Sequence, residues 1–266
     1  MVRQALFFLL FLLPLNMAAQ QPDDPIPFAC DSTKAVCLKA GWDTNGDGEL
    51  SYREAAAVTK MDSVFSFQQH ISSFNELRYF TGLKCLGIRS LADVYDLRSV
   101  TLPSTLEVID KRAFWSCVNL RHINLPPGLR EMREACFYHC ERLEDITIPS
   151  QVDTVPELAF MWCTNLKTVV LEEGVRYIKH DAFIHCFSLS QLTLPSTLER
   201  VETRAFGTCR NLCTISCHAT KPPRLDPDLL NSFVYKNAVV FIPIGSLEAY
   251  RADPGWKHFK NITEIF

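Results

Sequence analysis

The sequence predicts a repeat solenoid of short stacked β-strands, preceded by a small helical N-terminal cap. Three observations predict it. Blocks of 23 residues recur five times without a gap between Leu97 and Asn211. An acidic loop at 43–54, with glycines at its turn, precedes them. An apolar run opens the chain. The composition is that of a folded protein, with 47% hydrophobic and 21% charged residues in 266. A net charge of -3 gives no basis for a nucleic-acid or anionic-membrane partner.

Residues 1–20 read as a signal peptide. Arg3 supplies the positive start, Ala5 to Leu15 is apolar around Pro14, and Ala18-Ala19 offers small residues for cleavage. The run is too short for a membrane span, which needs about 20 residues. The expected protein is therefore secreted or displayed at the cell surface, with no membrane span.

Residues 21–73 form the predicted cap. Asp43 to Glu54 matches the EF-hand loop pattern D-x-[DN]-x-[DN]-G-x₅-E at every specified position. Calcium is a hard cation and takes oxygen ligands. Asp43, Asn45 and Asp47 supply side-chain oxygens at loop positions 1, 3 and 5. Glu49 offers its backbone carbonyl, Ser51 a water-holding hydroxyl and Glu54 a bidentate carboxylate. Gly48 permits the sharp turn, and Leu50 packs inward. Helices are expected over 33–42 and 51–61. EF-hands usually pair, and the chain holds no second such loop. A polar turn between two helices is the alternative reading.

Residues 74–238 form the predicted solenoid. In each block, L-x-x-Φ-x-L ends in alternation, so Ile146/Ile148 and Leu192/Leu194 face one side of a short strand. Pro103, Pro126, Pro149 and Pro195 stop it, since proline has no N–H for the ladder; Glu172 stands in the fourth block. A second apolar pair, such as Leu129 and Met132, turns inward. A phenylalanine follows as Phe114, Phe137, Phe160, Phe183 and Phe206. No block can bury its own apolar face, so the blocks must stack.

Eleven cysteines in an exported chain raise the question of disulfides, and the odd number leaves at least one unpaired. Cys117, Cys140, Cys163, Cys186 and Cys209 share one repeat position. Stacked repeats about 4.8 Å apart fall within disulfide range. Equivalent side chains in a stack run parallel, however, which predicts a buried, reduced ladder. His139 and His185 each precede a ladder cysteine, but no paired metal-ligand spacing accompanies them.

These blocks resemble the leucine-rich repeats of the BspA-like, treponemal-type proteins of Bacteroidetes. The consensus is L-x-x-Φ-x-L-P-x-x-L-x-x-I-x-x-x-A-F-x-x-C-x-x. The closing stretch, Val240-Phe241-Ile242-Pro243 through Ile262, resembles the C-terminal cap of such proteins, here 239–266. The resemblance implies a curved sheet of stacked strands in a secreted or surface protein used for binding and adhesion. It names no ligand.

Function then divides three ways. A binding protein for a protein or glycan ligand fits a solenoid best. A secreted Cys/His hydrolase is the enzymatic alternative, but no G-x-S-x-G, H-E-x-x-H or catalytic-cysteine signature occurs, so no enzyme is expected. A purely structural scaffold is the third. The residue after each ladder phenylalanine is Trp115, Tyr138, Met161, Ile184 and Gly207, and Trp162 follows Met161. These side chains either clad the core edge or form an outward stripe. In the second case Trp115, Tyr138 and Trp162 centre a ligand-binding surface.

Overall fold

A computed structural model describes residues 20–265. The predicted signal peptide lies, apart from Gln20, outside the described residues. The solenoid is built from parallel strands stacked one per repeat. In the first column, Asp145–Ile148, Thr168–Leu171, Gln191–Leu194 and Thr214–Cys217 pair at a constant step of 23 residues, Asp145 opposite Thr168 opposite Gln191 opposite Thr214. Val239–Ile242 and Asn261–Glu264 extend this sheet to six strands. Alternation sets the faces: Asp145–Ile148 runs exposed, buried, exposed, buried.

The second apolar pair of each block makes a further column, which sequence reading took only for an inward turn. Val108–Ile109, Glu131–Met132, Tyr177–Ile178 and Arg200–Val201 are all two-residue parallel strands. This column splits into two four-stranded sheets between Glu131–Met132 and Thr154–Val155. Proline chemistry accounts for the split. At neighbouring junctions Arg133 N–H donates to Ile109 O at 2.9 Å and Lys179 N–H to Val155 O at 3.0 Å. Pro156 occupies the equivalent position and has no N–H to offer Met132 O. The opposite exchange explains Glu172: its N–H donates to Ile148 O at 3.0 Å, a bond the prolines of the other blocks cannot make.

Parallel pairing begins earlier than the repeat pattern indicates. Lys60–Met61, inside the segment read as the cap, pairs with Cys85–Leu86, and Ser73–Phe74, across the boundary drawn between cap and solenoid, pairs with Ser99–Val100. Their steps of 25 and 26 residues break the period of 23, and two-residue strands carry almost no alternation. The two cap helices, Asp31–Lys39 and Tyr52–Ala57, are shorter than expected. Ser51 does not belong to the second helix. It caps it, in a reciprocal capping box with Glu54.

Between the columns run two ladders. The rings of Phe114, Phe137, Phe160, Phe183 and Phe206 stack with centroids 5.0, 5.3, 5.1 and 5.1 Å apart and planes within 5°. The ladder cysteines lie beside them, buried; all eleven cysteines are free, with Cys85 half-buried and Cys213 exposed. Both ends of the core are closed by aromatic residues. Trp42 of the cap meets Phe80 edge-on at 5.4 Å, and Thr33 Oγ1 donates to Ser73 O at 2.8 Å. A side chain at Gly82 would stand 2.1 Å from Ala56 O, so only glycine allows the cap this close. At the far end Tyr250 OH donates to Ala219 O at 2.7 Å and Trp256 Nε1 to Pro223 O at 2.8 Å. Among the described residues, no helix is long and apolar enough to cross a membrane.

Candidate cation loop and aromatic turn ridge

The loop at 43–54 is folded around its own oxygens. Asp43 accepts from Gly46 N–H at 2.7 Å and Gly48 N–H at 3.0 Å. Asn45 Oδ1 accepts from Asp47 N–H, and Asp47 Oδ1 from Glu49 N–H. Gly46 and Gly48 stand at φ of 75° and 83°, where a side chain is strained. Glu54 Oε1 accepts from Thr44 N–H, Thr44 Oγ1 and Asn45 N–H, while Oε2 accepts from Ser51 N–H and Oγ. Glu54 thereby braces the start of the loop against its end. Burial pushes its pKa up, but the hydrogen bonds from Ser51 and Thr44 outweigh burial and bring it to about 2.

The donor set fits a hard divalent cation in kind: three carboxylates, one amide oxygen and the carbonyl of Glu49. The carboxylates are spread onto loop N–H groups. Among the described residues no three His, Cys, Asp or Glu side chains converge as a metal cluster. Glu49 points its carboxylate away, to Lys34 Nζ at 2.6 Å, which leaves its carbonyl as the group available to the loop.

The second candidate is the turn side of the solenoid. The first four blocks each turn through two residues of left-handed backbone, four apart: Arg112 and Ser116, Ala135 and His139, Leu158 and Trp162, Asp181 and His185, all with φ between 56° and 65°. None is glycine, so each is held against an intrinsic cost of about 1–2 kcal/mol. Cross-repeat bonds hold them there, such as Ser116 N–H to Tyr138 O at 2.8 Å and Trp162 N–H to Ile184 O at 3.1 Å.

Trp115 and Tyr138 are half-buried, and their rings stack at 3.9 Å with planes 8° apart. The Arg112 guanidinium lies over the Trp115 ring, 5.0 Å from its centroid. Trp162 is half-buried too but sits in the adjacent column of the ridge. It stacks on His185 at 4.1 Å and meets Phe187 edge-on at 5.8 Å. The three aromatic residues, with His185, thus form two stacked pairs on one ridge, not one stripe. Sequence reading weighed His185 only as a metal ligand and passed over Phe187, although His185 stands one block after Trp162. Phe187 is 42% exposed, and Tyr95, at the same repeat position, is 52% exposed.

This architecture is a leucine-rich-repeat fold, with parallel strands stacked one per repeat. Residues 86–213 match the BspA type leucine rich repeat region in six copies. Among solved structures the chain is similar to a leucine rich repeat protein of T. pallidum, at 26% identity and a TM-score of 0.49, over 64% of this chain and 76% of that one. It is also similar to a leucine rich cell surface protein of Faecalibacterium prausnitzii A2-165, at 21% identity and a TM-score of 0.48, over 74% of this chain and 60% of the other. A leucine-rich repeat protein of Bacteroides ovatus ATCC 8483 matches at 16% identity and a TM-score of 0.46, over 83% of this chain and 66% of its own. No curated protein matches the chain.

Proposed function

We propose that this chain is an exported, non-enzymatic binding protein whose turn ridge meets a protein partner and whose N-terminal cap is closed by calcium. The carrying observation is the pair of stacked aromatic couples, Trp115 on Tyr138 and Trp162 on His185, half-exposed where the core has no need of them. Tyrosine and tryptophan anchor interfaces because they bury large area at low entropic cost. A protein suits this ridge better than a glycan. A sugar ring stacks on an open aromatic face, and Trp115 has Tyr138 on one face and Arg112 over the ring. Ring edges remain, and these suit protein side chains.

The calcium ligands in this reading are Asp43, Asn45, Asp47, the carbonyl of Glu49 and Glu54. Bound there, the ion joins the two halves of the loop and stiffens the cap. A Cys/His hydrolase is disfavoured because burial holds the thiols of Cys117, Cys140, Cys163 and Cys186 protonated and every ladder thiol donates to a backbone carbonyl. Parallel arrays of purified extracellular proteins and of glycans test the partner class. A protein bound above background is expected. Glycan binding alone would contradict the ridge assignment, and silence on both arrays would favour a scaffold.

A further inference from the structure

The cation loop stands alone in the chain, yet its outgoing half is not left unsupported. The segment Pro22–Ile26 lies along it. Ile26 N–H donates to Leu50 O at 2.8 Å, Tyr52 N–H to Asp24 O at 3.1 Å and Arg53 N–H to Pro22 O at 2.7 Å. Pro25 and Ser51 form an antiparallel bridge. Arg53 adds a fork onto Asp23, Nε to Oδ1 at 2.6 Å and Nη2 to Oδ2 at 3.1 Å. Ile26 and Leu50 are both buried.

The segment is pre-set for this task. Pro22, Pro25 and Pro27 fix φ and hold their predecessors extended, so little entropy is lost on docking. They also leave Ile26 as an N–H between two prolines, and that N–H meets Leu50 O. Leu50 is flanked by Glu49, whose carbonyl is a proposed ligand, and by Ser51, which caps the helix bearing Glu54. Asp43, Asn45 and Asp47 instead hold their oxygens through the loop's own N–H groups, from Gly46 to Glu49.

We propose that Pro22–Ile26 is a positioning clamp for the cation loop, setting the Glu49 carbonyl and the Glu54 carboxylate against the three incoming ligands. This rests on the calcium reading above. The clamp's residues are not ligands. Their loss leaves all five ligating groups in place and removes only the backbone support for two of them. Affinity then falls because the ion must order that half of the loop itself. The clamp lies immediately after the predicted signal peptide, so the point at which the mature chain begins also sets the affinity of its cation site.

Calorimetric calcium titration of the chain beginning at Gln20 is compared with one lacking residues 20–26 and with Ile26→Pro and Ile26→Ala. Amide exchange at Gly48 and Glu49 is followed without calcium. Ile26→Ala keeps the N–H and loses side-chain packing; Ile26→Pro loses the N–H as well. The clamp predicts at least a tenfold weaker affinity for the shortened chain and for Ile26→Pro, a smaller change for Ile26→Ala, and an unchanged solenoid melting transition. Equal affinity in all four chains overturns it. No binding by the chain from Gln20 defeats the calcium reading itself. The exchange data then decide the clamp: faster exchange in the shortened chain and in Ile26→Pro retains it, and unchanged exchange overturns it.

Discussion

The Cys140 thiol donates to the backbone carbonyl oxygen of Phe114, 26 residues back and 3.2 Å away. The same bond recurs from Cys117 to Leu91, Cys163 to Phe137, Cys186 to Phe160 and Cys209 to Phe183, at 3.1 to 3.3 Å. A cysteine serves here because it is small, apolar enough for the core and still a weak donor. Burial pushes the thiols of Cys117, Cys140, Cys163 and Cys186 up and keeps them protonated and inert. Denaturing alkylation without reductant, read by mass spectrometry, is expected to label all five. A disulfide between any two would overturn the donor-ladder account.

The phenylalanine ladder carries much of the stacking energy. Phe160 contacts rings on both sides, at 5.3 and 5.1 Å, and is fully buried. Phe160→Ala is expected to cost about 3–5 kcal/mol by transfer and cavity terms together. Denaturant unfolding measures it. A loss below about 1 kcal/mol would show that neighbouring repeats collapse into the space.

Acid acts on the cap through Glu54. Its folded-state pKa of about 2 lies below the ordinary value of 4.5, so folding favours the ionised form. The stability it contributes is fully present above pH 4.5 and is lost as the pH falls toward 2. Amide exchange in the loop at 43–54 is expected to accelerate across that window, and Glu54→Gln to flatten the dependence. A wild-type profile flat to pH 2 would contradict the brace.

Calcium is expected to raise the melting temperature of the cap. A ligand binding only the folded state at 100 times its Kd adds about 2.7 kcal/mol. Scanning calorimetry with calcium and with chelator is compared for the wild-type chain and Glu54→Gln. A shift in the wild type and little in the variant supports the ligand set. No difference between calcium and chelator in the wild type opposes it.

Much of the fold was legible because the period of 23 makes each position testify several times over. The inward residues of the first strand column, the phenylalanines and the cysteine ladder all lie where repetition places them. The solenoid was read from residue 74, but the first short strands were not legible, since Lys60–Met61 and Ser73–Phe74 are too short for alternation and their pairing breaks the period. The gap at Pro156 was visible only as one proline, because its meaning depends on which N–H groups the second column uses. At the ridge, sequence placed Trp115 beside Tyr138 by repeat position. Trp162 stands one position past Met161, so its separate column was visible in the sequence, but its stacking on His185 was not. The contact of Pro22–Ile26 with the loop at 43–54 was invisible, since no periodicity links Ile26 to Leu50.

The central claim is that the turn ridge binds a protein partner, and affinity against melting temperature for Trp115→Ala and Trp162→Ala tests it most directly. Kd is measured by calorimetry on the protein captured from the array, alongside thermal unfolding of each variant. Each substitution is expected to weaken binding by more than about 1 kcal/mol, roughly fivefold, as truncating an interface anchor does. Both rings are half-buried at the surface, so melting should move little. Unchanged Kd in both variants, or a fall in melting temperature with affinity intact, would show that these rings clad the core and that the partner docks elsewhere.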